Sequence, residues 1–357
     1  MINVTKTFFP PSIDYKKYID SIWKNQWLTN NGALCKKLST DLEKHLDVNF
    51  LILMTNGTLP IQIALNAYGK GGEIITTPFS YVATTASIVW EKCKPVFVDI
   101  DPKHLTIDES KIEDAITENT TCILATHVYG NPCNVKVIED ISKKHNLKVI
   151  YDAAHCFGVE YDNQSIFNYG DVSTCSFHAT KLFHTGEGGA LFCQDKSIYH
   201  EMFYRHNFGH NGPLEYHGLG INAKMSELQA AMGLSVLPYM DLILDSRKKI
   251  CDTYDNKLDF STVDKITIRK STKWNYSYYP ILFNSENELL LTLDKLNKKN
   301  INPRRYFFPS LDKLPFVNSA HCEVSNDIAS RVLCLPLYVG LEEKEQIKII
   351  NLINKAR

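Results

Sequence analysis

An α/β architecture is predicted for this 357-residue chain. A large domain with a central, mostly parallel sheet flanked by helices is followed by a smaller C-terminal α/β domain. Two observations carry the prediction. Over the first two-thirds, short apolar runs rich in β-branched residues alternate with segments of helical length, the pattern of parallel strands joined by crossover helices. With 44% hydrophobic residues, the chain can also bury a large core and divide into two units.

The strands fall at residues 51–54, 73–77, 95–99, 122–126 and 148–151. Between them, residues 58–68, 82–91 and 135–145 carry apolar side chains at helical spacing. A strand at 190–193 and a helix at 197–208 follow. Residues 206–222, rich in Gly, His and Asn, read as a long ordered loop of the kind that carries function. A helix resumes at Ala223, and Pro238 should bend or interrupt it. The C-terminal part offers an aromatic, strand-like stretch at 274–283, a helix at 286–299 and a last helix after Leu341. A boundary near residue 235 gives a large domain of residues 1–235, with its N-terminal segment, and a small domain of residues 236–357.

The most informative run is Ser176-Phe177-His178-Ala179-Thr180-Lys181, followed by Gly186-Glu187-Gly188-Gly189. Upstream, Tyr151-Asp152-Ala153-Ala154-His155 places Asp152 at the carboxyl end of a strand, where open α/β sheets bind ligands. A neutral lysine amine condenses with an aldehyde and, once displaced, acts as a general base. A buried carboxylate keeps a pyridine nitrogen protonated, which turns an aromatic ring into an electron sink. Lys181 and Asp152 therefore point to pyridoxal 5'-phosphate, PLP.

Composition excludes other classes. With 39 basic and 40 acidic residues there is no global field to attract nucleic acid, and no dense basic stripe interleaved with aromatics. No apolar run reaches the roughly 20 residues that span a bilayer. Neither GxGxxG after a strand nor GxxxxGK[ST] occurs, so dehydrogenase and kinase readings lose support. His178 and His184 bracket Lys181 without acidic or cysteine partners at ligand spacing, so no metal is expected. The ten cysteines form no CxxC pair and no signal peptide opens the chain; reduced thiols and a cytoplasmic location are expected.

Further motifs complete the pattern: Asn56-Gly57-Thr58, Thr77-Pro78-Phe79-Ser80-Tyr81-Val82-Ala83-Thr84, Pro95-Val96-Phe97-Val98-Asp99 and Arg331-Val332-Leu333-Cys334-Leu335-Pro336. Together with the Asp152 and Lys181 runs, in this order and spacing along nearly the whole chain, they resemble the DegT/DnrJ/EryC1/StrS sugar-nucleotide aminotransferases. That resemblance implies the PLP fold type I. It implies Gly57, Thr58 and Ser176 at the cofactor phosphate, although Thr58 is equally a helix cap and a strand serine is ordinarily just packed. It implies Tyr81 on the cofactor face, with Phe79 as a competing choice, and His155 near the cofactor. The run Gly220-Ile221-Asn222-Ala223-Lys224-Met225-Ser226-Glu227-Leu228-Gln229-Ala230-Ala231 resembles the family segment that crosses a homodimer interface. Asn222 would there meet the phosphate of the partner's cofactor, with His217 and Lys224 near the sugar or pyrophosphate; an ordinary Ω-loop is the alternative. Arg304 and Tyr306, in a run that continues to Pro309, suit diphosphate and nucleobase recognition, against the alternative of a solvated basic turn.

The resemblance further implies a ping-pong transamination. L-glutamate converts PLP to pyridoxamine 5'-phosphate, which then aminates a keto sugar linked to a nucleoside diphosphate, with Lys181 as the proton shuttle. A dehydratase branch of the family carries histidine in place of this lysine, so Lys181 argues against it. The runs 123–130, 220–231 and 304–309 look most like enzymes that aminate carbon 4 of dTDP-4-keto-6-deoxyglucose for O-antigen or other surface glycans. Amination at carbon 3 of a dTDP-3-keto-6-deoxyhexose is the rival within the class. A PLP-binding sensor without turnover, or a scaffold that kept only the fold, are the rivals outside it.

Overall fold

The computed structural model describes residues 1–318 and 320–355. Strand β1 (Ile2–Asn3) is followed by helices α1 (Ser12–Asn25) and α2 (Ala33–Leu46). Next come β2 (Phe50–Met54), α3 (Thr58–Tyr68), β3 (Glu73–Thr76), α4 (Val82–Trp90), β4 (Lys94–Phe97), β5 (Thr120–Thr126), α5 (Val135–His145) and β6 (Lys148–Asp152). A small hairpin, β7 (Glu160–Tyr161) and β8 (Gln164–Ser165), precedes β9 (Val172–Ser176) and β10 (Gly189–Cys193). Helices α6 (Lys196–His206), α7 (Glu227–Val236) and α8 (Met240–Lys257) lead to β11 (Val263–Lys265), β12 (Thr272–Lys273) and β13 (Tyr279–Phe283). The chain closes with α9 (Glu286–Asn297), β14 (Ile301–Asn302), α10 (Glu323–Arg331), β15 (Val332–Leu335) and α11 (Glu343–Asn354).

The central sheet has seven strands in the order β2-β10-β9-β6-β5-β3-β4, parallel throughout except for β10. Helices cover both faces, so a central strand such as β5 is buried on both and reads as a continuous apolar run. One face packs on α2 and α7 through Leu38, Leu42 and Leu234; the other packs on α3 and α6 through Ile61, Leu65 and Met202. Asp152 lies opposite Thr126 on one neighbouring strand and Thr174 on the other, so these residues share the carboxyl rim of the sheet.

In the C-terminal part, β11, β13 and β15 form an antiparallel sheet. Its apolar face packs on α8, α9 and α11 through Tyr254, Leu289 and Ile349. Ile2 joins this same core, because β1 pairs in parallel with β14. Among the described residues no helix is long and apolar enough to cross a membrane.

Three local differences from the sequence reading have physical causes. Helices α1 and α2 were not anticipated, although Leu34, Leu38, Leu42 and Leu46 recur one turn apart and are buried. Helix α7 starts at Glu227, not at Ala223. Ser226 and Gln229 form a reciprocal capping box there, and the Ala223 carbonyl is taken by the Thr55 amide at 2.9 Å, which holds the preceding residues extended. Only Tyr279–Phe283 of the aromatic stretch is a strand; the residues before it spend their polar groups on carbonyls of the large sheet's loops. Pro238 lies in the 3-10 turn that separates α7 from α8.

Candidate active site

At the carboxyl ends of β5, β6 and β9 the chain encloses a cavity of about 300 Å³. Asp152, Ala154 and His155 line it from the end of β6, and Ser176, Thr180 and Lys181 from the turn between β9 and β10. The C-terminal part supplies Tyr278, Arg304, Tyr306 and Phe307. The site therefore forms where the two parts of the chain meet.

Asp152 is buried, and burial pushes its carboxyl pKa up. Three neighbours oppose this: the Thr84 hydroxyl donates to Oδ2 at 2.7 Å, the Ala154 amide donates to Oδ1 at 3.1 Å, and the Lys181 amine lies nearby. A carboxylate so partnered can remain ionised in a low-dielectric site. Lys181 sits in a turn closed by backbone bonds from Phe177 to Gly188 at 2.8 Å and from Ala179 to Gly186 at 2.7 Å. Burial draws its pKa below that of an ordinary lysine, against the pull of Asp152 and Tyr306. A depressed ammonium pKa raises the share of neutral amine, the nucleophilic form. The Tyr278 ring lies 5.7 Å from the Lys181 nitrogen.

His155 stands in an aromatic wall. Its ring is parallel to those of Tyr129 and Phe307 and edge-on to Tyr278, at centroid distances of 6.3, 5.7 and 4.8 Å. Its Nδ1 accepts the Tyr129 amide at 3.0 Å, and burial and Lys181 hold its pKa well below the usual histidine value. The ring is therefore neutral with its proton on Nε2. The wall is fixed from the C-terminal part: the Trp274 indole and the Ser277 hydroxyl donate to the Tyr129 carbonyl at 2.8 and 2.7 Å. Asn275 Nδ2 reaches the His155 carbonyl at 2.8 Å.

The turn from β2 into α3 faces the Lys181 turn. Gly57 approaches Ser176 so closely that a Cβ at Gly57 would lie 2.7 Å from the Ser176 Cβ. The cap of α3 comes from Asn56, whose Oδ1 accepts the amides of Thr58 and Leu59 at 2.9 and 3.0 Å. Thr58 is thus not the capping residue, and with Gly57 and Ser176 it lines the cavity. This cradle of a helix N-terminus and hydroxyls suits a phosphate, while Asp152 and Lys181 suit a pyridine nitrogen and an aldehyde. The residues present fit PLP.

The remaining expected residues divide into two groups. Tyr81, at the N-terminus of α4, lines the cavity, whereas Phe79 is fully buried in a core with Ile100 and does not line it. Arg304 and Tyr306 line the cavity and bond to each other at 3.2 Å. His217, Asn222 and Lys224 lie away from it: Lys224 Nζ donates to Asn222 Oδ1 at 2.7 Å, and the His217 ring packs on Tyr204. His178 bonds to Thr180 and faces Glu187 at 3.6 Å. His184 is tied to the Phe8 carbonyl at 2.7 Å. Among the described residues no group of three or more His, Cys, Asp or Glu could hold a metal ion. The sequence reading missed Tyr278, which lacks any motif, gave Phe307 no role of its own within the 304–309 run, and gave none to the hydroxyls of Ser80, Thr84 and Thr126 beside Asp152.

A lysine and a buried aspartate on the rim of a mostly parallel seven-stranded sheet, closed by a C-terminal α/β unit, define a PLP-dependent aminotransferase of fold type I. The chain belongs to the DegT/DnrJ/EryC1/StrS aminotransferase family, whose model matches residues 13–354. It is 43% identical over 365 residues to the dTDP-4-amino-4,6-dideoxy-D-glucose transaminase of Shigella dysenteriae, covering 100% of this chain and 99% of that one. The enzyme of the same name from Escherichia coli is 37% identical, covering 99% and 98%. Among solved structures, DesI in the presence of its TDP-sugar product matches with TM-score 0.93 and 26% identity, over 100% of this chain and 94% of that one.

Proposed function

We propose that this aminotransferase moves an amino group from L-glutamate to carbon 4 of dTDP-4-keto-6-deoxyglucose, giving dTDP-4-amino-4,6-dideoxyglucose for a surface glycan such as O-antigen. The observation that carries the substrate is the end-to-end 43% identity with the Shigella dysenteriae transaminase, in a chain that keeps both Lys181 and Asp152. GDP-perosamine synthase of Escherichia coli O157:H7 is more distant, at 29%.

When bound, PLP supplies the electron sink. In this reading Lys181 would hold the cofactor through its aldehyde at rest and, once displaced as a free amine, would carry a proton to and from the reacting carbon. Asp152 would hold the proton of the ring nitrogen. Gly57, Thr58 and Ser176 would bind the phosphate, Tyr81 and His155 would border the ring, and Arg304 and Tyr306 would meet the nucleotide sugar. Residues 1–235 would carry the cofactor, and residues 236–357 would close the site over it. Asn222, with His217 and Lys224, would complete the site of a second copy in a homodimer. Support for that dimer comes from the exposed apolar side chains of Leu214, Tyr216 and Leu219 in the same segment as Asn222, since uncovered apolar side chains in number mark interaction surfaces. A cytoplasmic setting fits a sugar-nucleotide substrate.

The test is an absorbance titration of the PLP-loaded protein with L-glutamate, followed by dTDP-4-keto-6-deoxyglucose, with the product identified by mass spectrometry and NMR. Glutamate should bleach the visible band and the sugar should restore it, with the amine at carbon 4. Bleaching without restoration would remove the proposed sugar, and an amine at carbon 3 would move the reaction to the rival position. No response to glutamate would remove the proposed donor.

A further inference from the structure

Beside Asp152 runs a row of hydroxyls that the assigned roles do not use; Ser80 and Thr126 line the cavity with Asp152, and Thr84 links them to it. Thr84 Oγ1 donates to Asp152 Oδ2 at 2.7 Å, Ser80 Oγ is 2.7 Å from Thr84 Oγ1, and Thr126 Oγ1 donates to Ser80 Oγ at 3.0 Å. All three side chains are buried. An ionised carboxylate accepts only, so the single proton of Thr84 points at Asp152. The proton between Ser80 and Thr84 must then come from Ser80, and the next from Thr126. Each O–H in the row donates one step toward the same carboxylate oxygen, and the last, from Thr84, reaches it.

We infer that Thr126, Ser80 and Thr84 form a directed hydroxyl relay that keeps Asp152 ionised and so holds the proton on the ring nitrogen of the cofactor. Thr84 is in this sense a positioning residue of the transamination, acting through Asp152. The inference rests on the PLP assignment above. Charge-assisted hydrogen bonds are roughly twice as strong as neutral ones, and each donor in a chain polarises the next. The pairing is not a general property of this wall. Thr76, Thr85 and Ser87 carry buried hydroxyls with no partner among the described residues. Three separate elements converge to build the relay: the turn after β3, the first turn of α4 and the end of β5. Tyr81 stands between Ser80 and Thr84, so the turn that presents its ring to the cavity also sets the relay.

One proton is shared between Asp152 and the ring nitrogen. Removing the Thr84 donor makes the carboxylate more basic, which draws that proton from nitrogen to oxygen and weakens the electron sink. The experiment loads the protein with PLP labelled with nitrogen-15 in the ring and reads the nitrogen resonance by NMR. Wild type should show a protonated ring nitrogen. Thr84→Val should shift the resonance toward neutral pyridine, weaken PLP binding about tenfold, as expected for a hydrogen bond to a charged group, and lower kcat with KM for glutamate little changed. Thr84→Ser should restore all three, and Ser80→Ala should fall between wild type and Thr84→Val. A Thr84→Val or Ser80→Ala protein that binds PLP with an unshifted resonance would overturn the relay. Wild type that binds no PLP would instead overturn the cofactor assignment itself. Should Thr84→Val fail to fold, Ser80→Ala decides alone.

Discussion

The rim around Asp152 and the segment 207–224 are both polar, and they differ in how their groups are matched. At the rim, Asp152, Thr84, Ser80 and Thr126 are buried and bonded in one connected set drawn from four places in the chain. In the 207–224 segment only the last residues are tied to the large sheet, through Thr55 on the Ala223 carbonyl, while the rest bonds locally: Lys224 bonds Asn222 and covers the Phe208 ring at 4.7 Å, and the His217 amide bonds back to Gly209. Leu214 and Leu219 are 89% and 73% exposed there. Burial with full pairing fixes geometry before any ligand arrives. Exposed apolar side chains beside unspent polar ones describe a surface that is finished by something else. The first region holds its chemistry within one chain; in the proposed homodimer the second would act outside it.

The comparison breaks first at Lys181. Lys181→Ala should cut kcat by about 10³, within the usual range for loss of a general acid–base group, and leave the circular dichroism spectrum unchanged. A loss below tenfold would place the proton shuttle elsewhere. The second test is pH. His127 and His206 are buried, with pKa values held down to about 3 and about 4 by desolvation. A pKa depressed in the folded state contributes stability that is complete above the unfolded value near 6.5 and is lost as pH falls through the folded value. The urea midpoint of the apoprotein should therefore fall between pH 7 and pH 4.5, with His206 alone contributing about 2 kcal/mol to the drop. His206→Gln should flatten the profile by that amount.

Smaller effects separate the two regions. Gly57→Ala forces a methyl within 2.7 Å of the Ser176 Cβ. Overpacking of this sort costs about 1–3 kcal/mol, and it should appear as weaker PLP binding with no change in oligomeric state. Asn222→Ala should weaken PLP binding about tenfold, in line with a hydrogen bond to a charged phosphate, and should do so without altering the rim. Mixing Asn222→Ala with Lys181→Ala chains should recover activity through hybrid dimers, since one of the two sites in each hybrid is intact. Run at a PLP concentration that loads the wild type but not Asn222→Ala, a mixture whose activity does not rise above that of either parent would confine the site to a single chain.

Much of the sheet was legible because buried parallel strands must be apolar on both faces, as in Cys122, Ile123 and Leu124. Asp152 stood out because it closes an apolar strand, and Lys181 because it lies between a strand-like run and a glycine cluster. The start of α7 was misread because periodicity alone runs through Ala223, while a capping box and a backbone bond to Thr55 delay the helix to Glu227. Tyr278 was invisible for another reason: it reaches the cavity from far along the chain, and nothing local marks it. Thr84 was hidden in plain composition, since a threonine in an apolar helix reads as a β-branched filler until its hydroxyl is seen to meet a carboxylate.

The pairing of Ile2 with Ile301 has a bearing on synthesis. At about 5–20 residues per second, the roughly 300 residues between these partners take some 15–60 s to emerge from a ribosome. For that interval the first strand has no edge to join and Ile2 no core to enter, while the large sheet already has all seven of its strands by Cys193. The beginning of this chain is among its last pieces to reach a final place.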